Sequence, residues 1–231
     1  SDSALKSGDT STVTLVFSEA VASFSSTSDI TVANGSLTEM ITTDNITWTG
    51  TYTPNANVED ATNVLTLANT YTDIEGIVGP SADTANYTVD TISPTIIVET
   101  TVDADNTYVA VTFSEPVFNA TGGSGALEAS DFALSISSGI ASLTSATPSS
   151  ISNTGNVYTL GLPLTGTTNG NETLTVTPIA DSIYDAAGNV ASTSQSNNTV
   201  NLINIAPTIS EISVAADNTS VAVTFSESVF N

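Results

Sequence analysis

The chain has 231 residues and carries one basic residue, Lys6, against 24 acidic ones, for a formal net charge of −23. Such a chain repels nucleic-acid phosphates and anionic lipid headgroups, which argues against both as partners. It contains no cysteine and no histidine, so disulfides, zinc–thiolate sites and nucleophilic catalysis assisted by a histidine base are excluded.

From the N-terminus, period-2 alternation of apolar and polar residues predicts strands near residues 13–17, 30–33, 36–40, 46–52, 63–67 and 87–89. A second set follows near 96–99, 108–113, 132–136, 140–144, 157–162, 173–177 and 199–202. Clusters of Gly, Asn, Ser and Pro separate them, as turns require. No segment sustains a 3.6-residue period, so essentially no helix is expected. Trp48 and Tyr52 fall on one face of their strand, and core packing is the expected role for Trp48. No apolar run approaches the roughly 18–20 residues that span a bilayer, so membrane insertion is not expected, and no segment reads as a signal peptide. The scarcity of Lys and Arg, with abundant Thr, Ser, Asn and Asp, points to an extracellular or cell-surface setting.

One stretch occurs three times. Residues 106–119 read NTYVAVTFSEPVFN, residues 218–231 read NTSVAVTFSESVFN, and residues 10–23, TSTVTLVFSEAVAS, are a looser copy. The Glu that ends each strand recurs as Glu19, Glu115 and Glu227, at spacings of 96 and 112 residues. These periods suit whole sandwich domains of about 100 residues. Proline precedes a new strand at Pro94 and at Pro207 and stiffens each junction. The expected organisation is therefore module 1 over 1–90, module 2 over 91–204 and the start of a third over 205–231. Each complete module is expected to be an all-β, immunoglobulin-like antiparallel sandwich of about seven strands.

Several motifs resemble the bacterial Ig-like tandem repeats of very large cell-surface adhesins. In module 1 these are Leu5-Lys6-Ser7-Gly8-Asp9, Phe17-Ser18-Glu19, Ser28-Asp29-Ile30 and Tyr52-Thr53-Pro54. In module 2 they are Phe113-Ser114-Glu115, Ser130-Asp131-Phe132 and Tyr184-Asp185-Ala186-Ala187-Gly188-Asn189. The resemblance implies an extracellular, cadherin-like stalk of tandem modules, often stiffened by calcium. Module 1 departs from the pattern with Asp73-Ile74-Glu75-Gly76-Ile77, which lacks the final Asn.

The acidic residues gather at module ends when seven strands are traced up and down. On that reading Asp9, Asp90, Glu115, Asp181, Asp185 and Asn189 converge on the first junction. Asp103, Asp105 and Glu227 fall at the second junction, and Glu19 with Asp73 at the open end of module 1. Crowded carboxylates raise one another's pKa unless a cation neutralises them. An all-oxygen donor set suits Ca²⁺, with Mg²⁺ the second choice. The plainer alternative is that these Asp and Asn side chains cap turns. At a Kd of roughly 10⁻⁴ to 10⁻³ M, millimolar calcium contributes only about 0.5–1.5 kcal/mol per site. That is too little to fold a module and enough to bias a hinge.

These features predict a non-enzymatic structural extender, a monomeric string of modules or part of a filament, whose partners are neighbouring modules. Paired carboxylates could in principle hydrolyse glycosides, but these lie at module ends and not in an aromatic cleft. One alternative is a module that binds surface glycan or protein through its loops. Another is a fibre protomer in which the partial third module pairs with a second chain.

Overall fold

A computed structural model describes residues 4–204, 206–217 and 219–225. The chain divides into two compact units. Unit 1 comprises Ser1–Pro94, Val117–Gly125 and Tyr184–Ala191, and unit 2 comprises Thr95–Pro116, Ala126–Ile183 and Ser192–Asn231. The first unit thus takes in two loop segments from beyond residue 90.

Unit 1 contains β1 (Ser11–Val16), α1 (Ser26–Asp29), β2 (Ile30–Val32), β3 (Gly35–Leu37), β4 (Ile41–Thr42), β5 (Thr47–Pro54), β6 (Glu59–Asn63), β7 (Leu65–Leu67), β8 (Ala82–Asp83) and β9 (Tyr87–Asp90). One sheet runs β1-β5-β3, with β4 also on β5; a second runs β2-β7-β8; β6 pairs with β9. The register places Leu15 opposite Trp48 and Ser11 opposite Tyr52. Alternation then turns Val13, Leu15, Trp48 and Tyr52 inward. Phe17, Phe24, Met40, Leu67 and Tyr71 form the core they pack on. Trp48 meets Phe24 edge-on with ring centres 4.9 Å apart, so its expected packing role is what its geometry shows.

Unit 2 contains β10 (Ile96–Val102), β11 (Tyr108–Phe113), a 3-10 turn (Ala129–Asp131), β12 (Phe132–Ser137), β13 (Ser142–Leu143), β14 (Ile151–Thr154), β15 (Val157–Gly161), β16 (Leu164–Thr165), β17 (Thr173–Pro178), β18 (Thr199–Asn201), β19 (Ile209–Val214) and β20 (Val221–Phe225). The sheet β10-β11-β15-β14 faces β12-β17-β18 across a core of Val109, Val111, Phe113, Phe132, Leu160, Leu174 and Val176. β13 pairs with β16, and β19 with β20 as a separate hairpin.

One expectation needs correcting. The strands do not run up and down: β11 pairs with β15, β12 with β17 and β1 with β5. Sequential tracing fails because inward-facing residues of distant strands match better than those of neighbours, so connections cross between sheets. Helix, as expected, is nearly absent: among the described residues it is confined to two single turns, Ser26–Asp29 and Ala129–Asp131. At each, a buried Asp bonds back to the chain three or four residues earlier. Asp29 accepts the Ser25 N–H at 2.8 Å, and Asp131 accepts the Glu128 N–H at 2.7 Å. Both turns lead directly into a strand, which explains the repeated Ser-Asp pair. Among the described residues, no helix is long and apolar enough to cross a membrane.

Candidate metal centre

The repeated strand positions the first acidic group. In unit 1 the chain leaves β1 through Phe17 and Ser18 to Glu19, then turns so that the Ala22 N–H donates to the Thr72 carbonyl at 2.9 Å. This lays Glu19 beside the loop from Asp73 to Gly76. Carboxylate oxygens of Glu19, Asp73 and Glu75 lie within 4.8 Å of one another. Asp73 is also committed to its own loop, accepting the N–H groups of Glu75 at 2.9 Å and Ile77 at 2.8 Å. Glu19 and Glu75 are exposed.

The loop 184–190 is the counterpart of 72–78. Asp185 is fully buried, and one of its oxygens accepts the Gly188 N–H at 2.6 Å and the Asn189 N–H at 2.7 Å. Gly188 has φ +95°, a backbone that side chains rarely adopt, so glycine is what lets the loop close on Asp185. The second Asp185 oxygen accepts Asn189 Nδ2–H at 2.8 Å. Asn189 fills its remaining capacity from elsewhere in unit 1. Its Nδ2 donates to the Asp90 carbonyl at 2.8 Å, and its Oδ1 accepts the Ser7 N–H at 3.0 Å. The strand of Asp90 is held in turn by residues 4–6, with Leu5 bridged parallel to Val89. Asp90, Asp185 and Asn189 therefore come together as expected from the sequence.

Carboxylate oxygens of Asp90 and Asp185 lie within 4.8 Å of each other. Burial pushes the Asp90 carboxyl above the usual range, and the charges of Asp185 and Glu59 push it further against one lowering bond from the Ile92 N–H. Glu59 faces Asp90 across the β6–β9 pair. Asp90 is thus a half-buried acid in the field of two other acids, whose charges disfavour its ionised form. The donors here are all oxygen, and the amide and N–H groups already fix the carboxylate orientations, so the set fits a hard cation such as Ca²⁺.

The remaining expected residues divide by role. Asp9 accepts the Lys6 N–H at 3.0 Å and pairs with the Lys6 ammonium at 2.8 Å. Burial alone would raise its pKa, and the bonds and charge of Lys6 outweigh this and lower it. Asp103 caps its turn through the N–H groups of Thr107 at 2.7 Å and Tyr108 at 2.8 Å. Burial opposes these bonds and the Thr107 hydroxyl, yet its pKa is lowered. Asp105 is exposed in the same turn. Asp181 sits at φ +55° in unit 2 and is exposed, and Glu115, also in unit 2, is half-buried. Glu227 lies outside the described residues.

Glu59, Glu75 and Glu172 lie outside the site residues expected from the sequence. Glu75 had a usable signal, since it lies two residues after Asp73. Glu59 had none, because nothing predicted β6. Glu172 is fully buried in unit 2 and accepts N–H groups from Ile140 at 2.9 Å, Ala141 at 3.2 Å, Asn169 at 3.0 Å and Gly170 at 3.0 Å. Burial would raise its pKa, but these backbone donors bring it down to about 2. A Cβ at Gly139 would stand 2.4 Å from a Glu172 oxygen, so that approach requires glycine. With its oxygens taken up by four amides, Glu172 is a brace for loops.

Residues 1–89 fit the family model described as Bacterial Ig-like domain. No curated protein and no solved structure matches the chain.

Proposed function

We propose, from the premise that residues 1–89 are a bacterial Ig-like module, that the chain is a structural extender in a cell-surface adhesin or filament, stiffened by Ca²⁺. Bacterial Ig-like domains usually occur in extracellular or surface proteins and are a non-catalytic domain type, so no reaction is assigned. The observation that carries the calcium reading is the Asp90–Asp185 pair: two carboxylates with oxygens within 4.8 Å, one of them fully buried. Asp90 and Asp185 would hold the cation through their carboxylates. Asn189 would orient them, since both of its amide atoms are already tied to Asp185, Asp90 and Ser7. Glu115 is the third acid expected on sequence grounds alone, because it matches Glu19, which does lie beside its Asp73. Glu19, Asp73 and Glu75 form the second proposed site. A bound Ca²⁺ offsets the mutual repulsion and favours one arrangement of the chain over others.

Small-angle scattering in EDTA and in millimolar Ca²⁺ tests this reading. The maximum dimension and its spread should narrow with calcium, and Asp90→Asn should remove the response while Trp48 fluorescence reports an intact first unit. Equal dimensions in both conditions would refute it.

A further inference from the structure

Two loops from beyond residue 94 complete the first unit, 117–125 and 184–191. They are joined to each other, since Phe118 and Tyr184 exchange N–H to carbonyl bonds of 2.8 Å in both directions. Their seat on the unit is one turn, residues 6–9. Asp9 closes that turn by accepting the Lys6 N–H and pairing with its ammonium, and the Asp9 N–H returns to the Lys6 carbonyl at 3.1 Å. These bonds leave out the Ser7 N–H, and that is the group Asn189 Oδ1 takes at 3.0 Å. The Lys6 stem then crosses the loop. A Cβ placed on Gly188 would stand 3.4 Å from Lys6 Cδ and 3.5 Å from Thr121 Cβ, so both loops close on the same point.

The seat is selective because its partners are fixed and Asn189 is buried. The Leu5 N–H donates to the Thr88 carbonyl and the Asp90 N–H to the Leu5 carbonyl, both at 2.9 Å. The turn and the Asp90 carbonyl are therefore held at a set separation. Asn189 is 3% exposed, and a buried amide is destabilising unless its donors and acceptor are met. All of them are met: Oδ1 by Ser7, and Nδ2 by the Asp90 carbonyl and the Asp185 carboxylate. An Asp in this place would bring no donor for the Asp90 carbonyl. Ile, which stands at the matching position 77, brings neither donor nor acceptor.

We infer that turn 6–9 and the Asp90 main chain form a socket for a loop of the type Asp-x-x-Gly-Asn, and that Asn189 is the residue that selects the loop. Gly188 leaves room for the Lys6 stem, and Asn189 reads two main-chain groups that lie far apart in sequence. The lock consists of hydrogen bonds and packing, and no cation enters it. Where modules follow one another, as the extender reading has them, the socket admits a following loop that ends in Asn. It refuses one that ends in Ile, as residues 73–77 do. The choice of neighbour is then written in one side chain and is separate from any stiffening by Ca²⁺.

Hydrogen exchange of the whole chain in EDTA tests this. The Ser7 amide should exchange at least about tenfold more slowly than an open amide. Asn189→Ala and Asn189→Ile should each return Ser7 to the open rate, while Trp48 fluorescence and the β5 amides stay as in the parent chain. Ile77→Ala, the matched change in the other loop, should leave Ser7 protected. The inference fails if Ser7 exchanges at the open rate in EDTA, if its protection appears only when Ca²⁺ is added, or if Asn189→Ala leaves it protected. Should the Asn189 variants lose the Trp48 signal, the parent chain in EDTA decides. The calcium reading is judged by scattering and can fail while Ser7 stays protected, so the two outcomes are distinguishable.

Discussion

Asn189 and Ile77 occupy the same place in two copies of one loop, and the difference decides what each loop can hold. Asn189 spends its amide on Asp185, the Asp90 carbonyl and the Ser7 N–H. Ile77 has only its backbone to offer Asp73, giving its N–H to the carboxylate and its carbonyl to the Asp73 N–H, and its side chain is 68% exposed. The first loop therefore caps itself, and the second also ties down chain from three separate segments. Glu172 shows the same economy in unit 2. Its folded pKa of about 2 lies below the ordinary 4.5, so the folded form resists protonation. The stabilisation is complete above about pH 4.5 and is lost as pH falls towards 2. Glu172→Gln keeps the shape but surrenders the charge on four amide bonds, and we expect it to cost about 2–3 kcal/mol. Faster hydrogen exchange at the Ile140 and Ala141 amides near neutral pH would show it, with the difference from the parent protein shrinking on acidification.

At the scale of elements, the three copies of one strand form a series in which cover is the variable. β11 is covered on both edges and buried, β1 on one edge and half-buried, and β20 is exposed throughout. The same truncation should therefore differ in cost: about 2 kcal/mol for Val109→Ala, and about half that for Val13→Ala. Urea unfolding read by Trp48 reports the first unit, because Trp48 is the only tryptophan, and exchange at the β11 amides reports the second. The strands themselves were legible, since period-2 alternation at Val109, Val111 and Phe113 fixes which face is buried. Their order was not, because pairing β11 with β15 depends on contacts between residues some fifty positions apart, which alternation does not encode. β14 and β6 were missed for a local reason: Ile151–Thr154 and Glu59–Asn63 are polar edge strands with almost nothing to bury. At the site, Glu19 lies with Asp73 and Asp90 with Asp185; tracing strands from end to end puts each pair at a common module end, although the strand order differs from that tracing. The capping roles of Asp9 and Asp103 depended on turn geometry, which spacing alone does not distinguish from a ligand role.

For the whole molecule the governing quantity is the charge of −23. Self-repulsion of that size disfavours compact states and is screened within about 8–10 Å at physiological ionic strength. Raising NaCl from low to physiological concentration should lift the thermal midpoint by several degrees, the equivalent of about 1 kcal/mol. Calcium at constant ionic strength should add a further increment that Mg²⁺ matches only in part, since Mg²⁺ surrenders its water reluctantly. Scanning calorimetry across the three conditions separates general screening from site binding. If calcium adds nothing beyond ionic strength, screening alone accounts for its action.

The pairing of Lys6 with Asp9 has a consequence for proteolysis. A protease that cuts after basic residues finds one target bond in 231 residues, Lys6–Ser7. The Lys6 ammonium such an enzyme would recognise is held by Asp9 at 2.8 Å. The Lys6 carbonyl accepts the Asp9 N–H at 3.1 Å, and the Ser7 N–H is given to Asn189 at 3.0 Å. Cleavage needs an extended segment drawn into the enzyme's cleft, and here both sides of the one susceptible peptide are hydrogen-bonded in a turn. Trypsin-like digestion is thus limited first by the scarcity of sites and then by the local unfolding needed to free the last one.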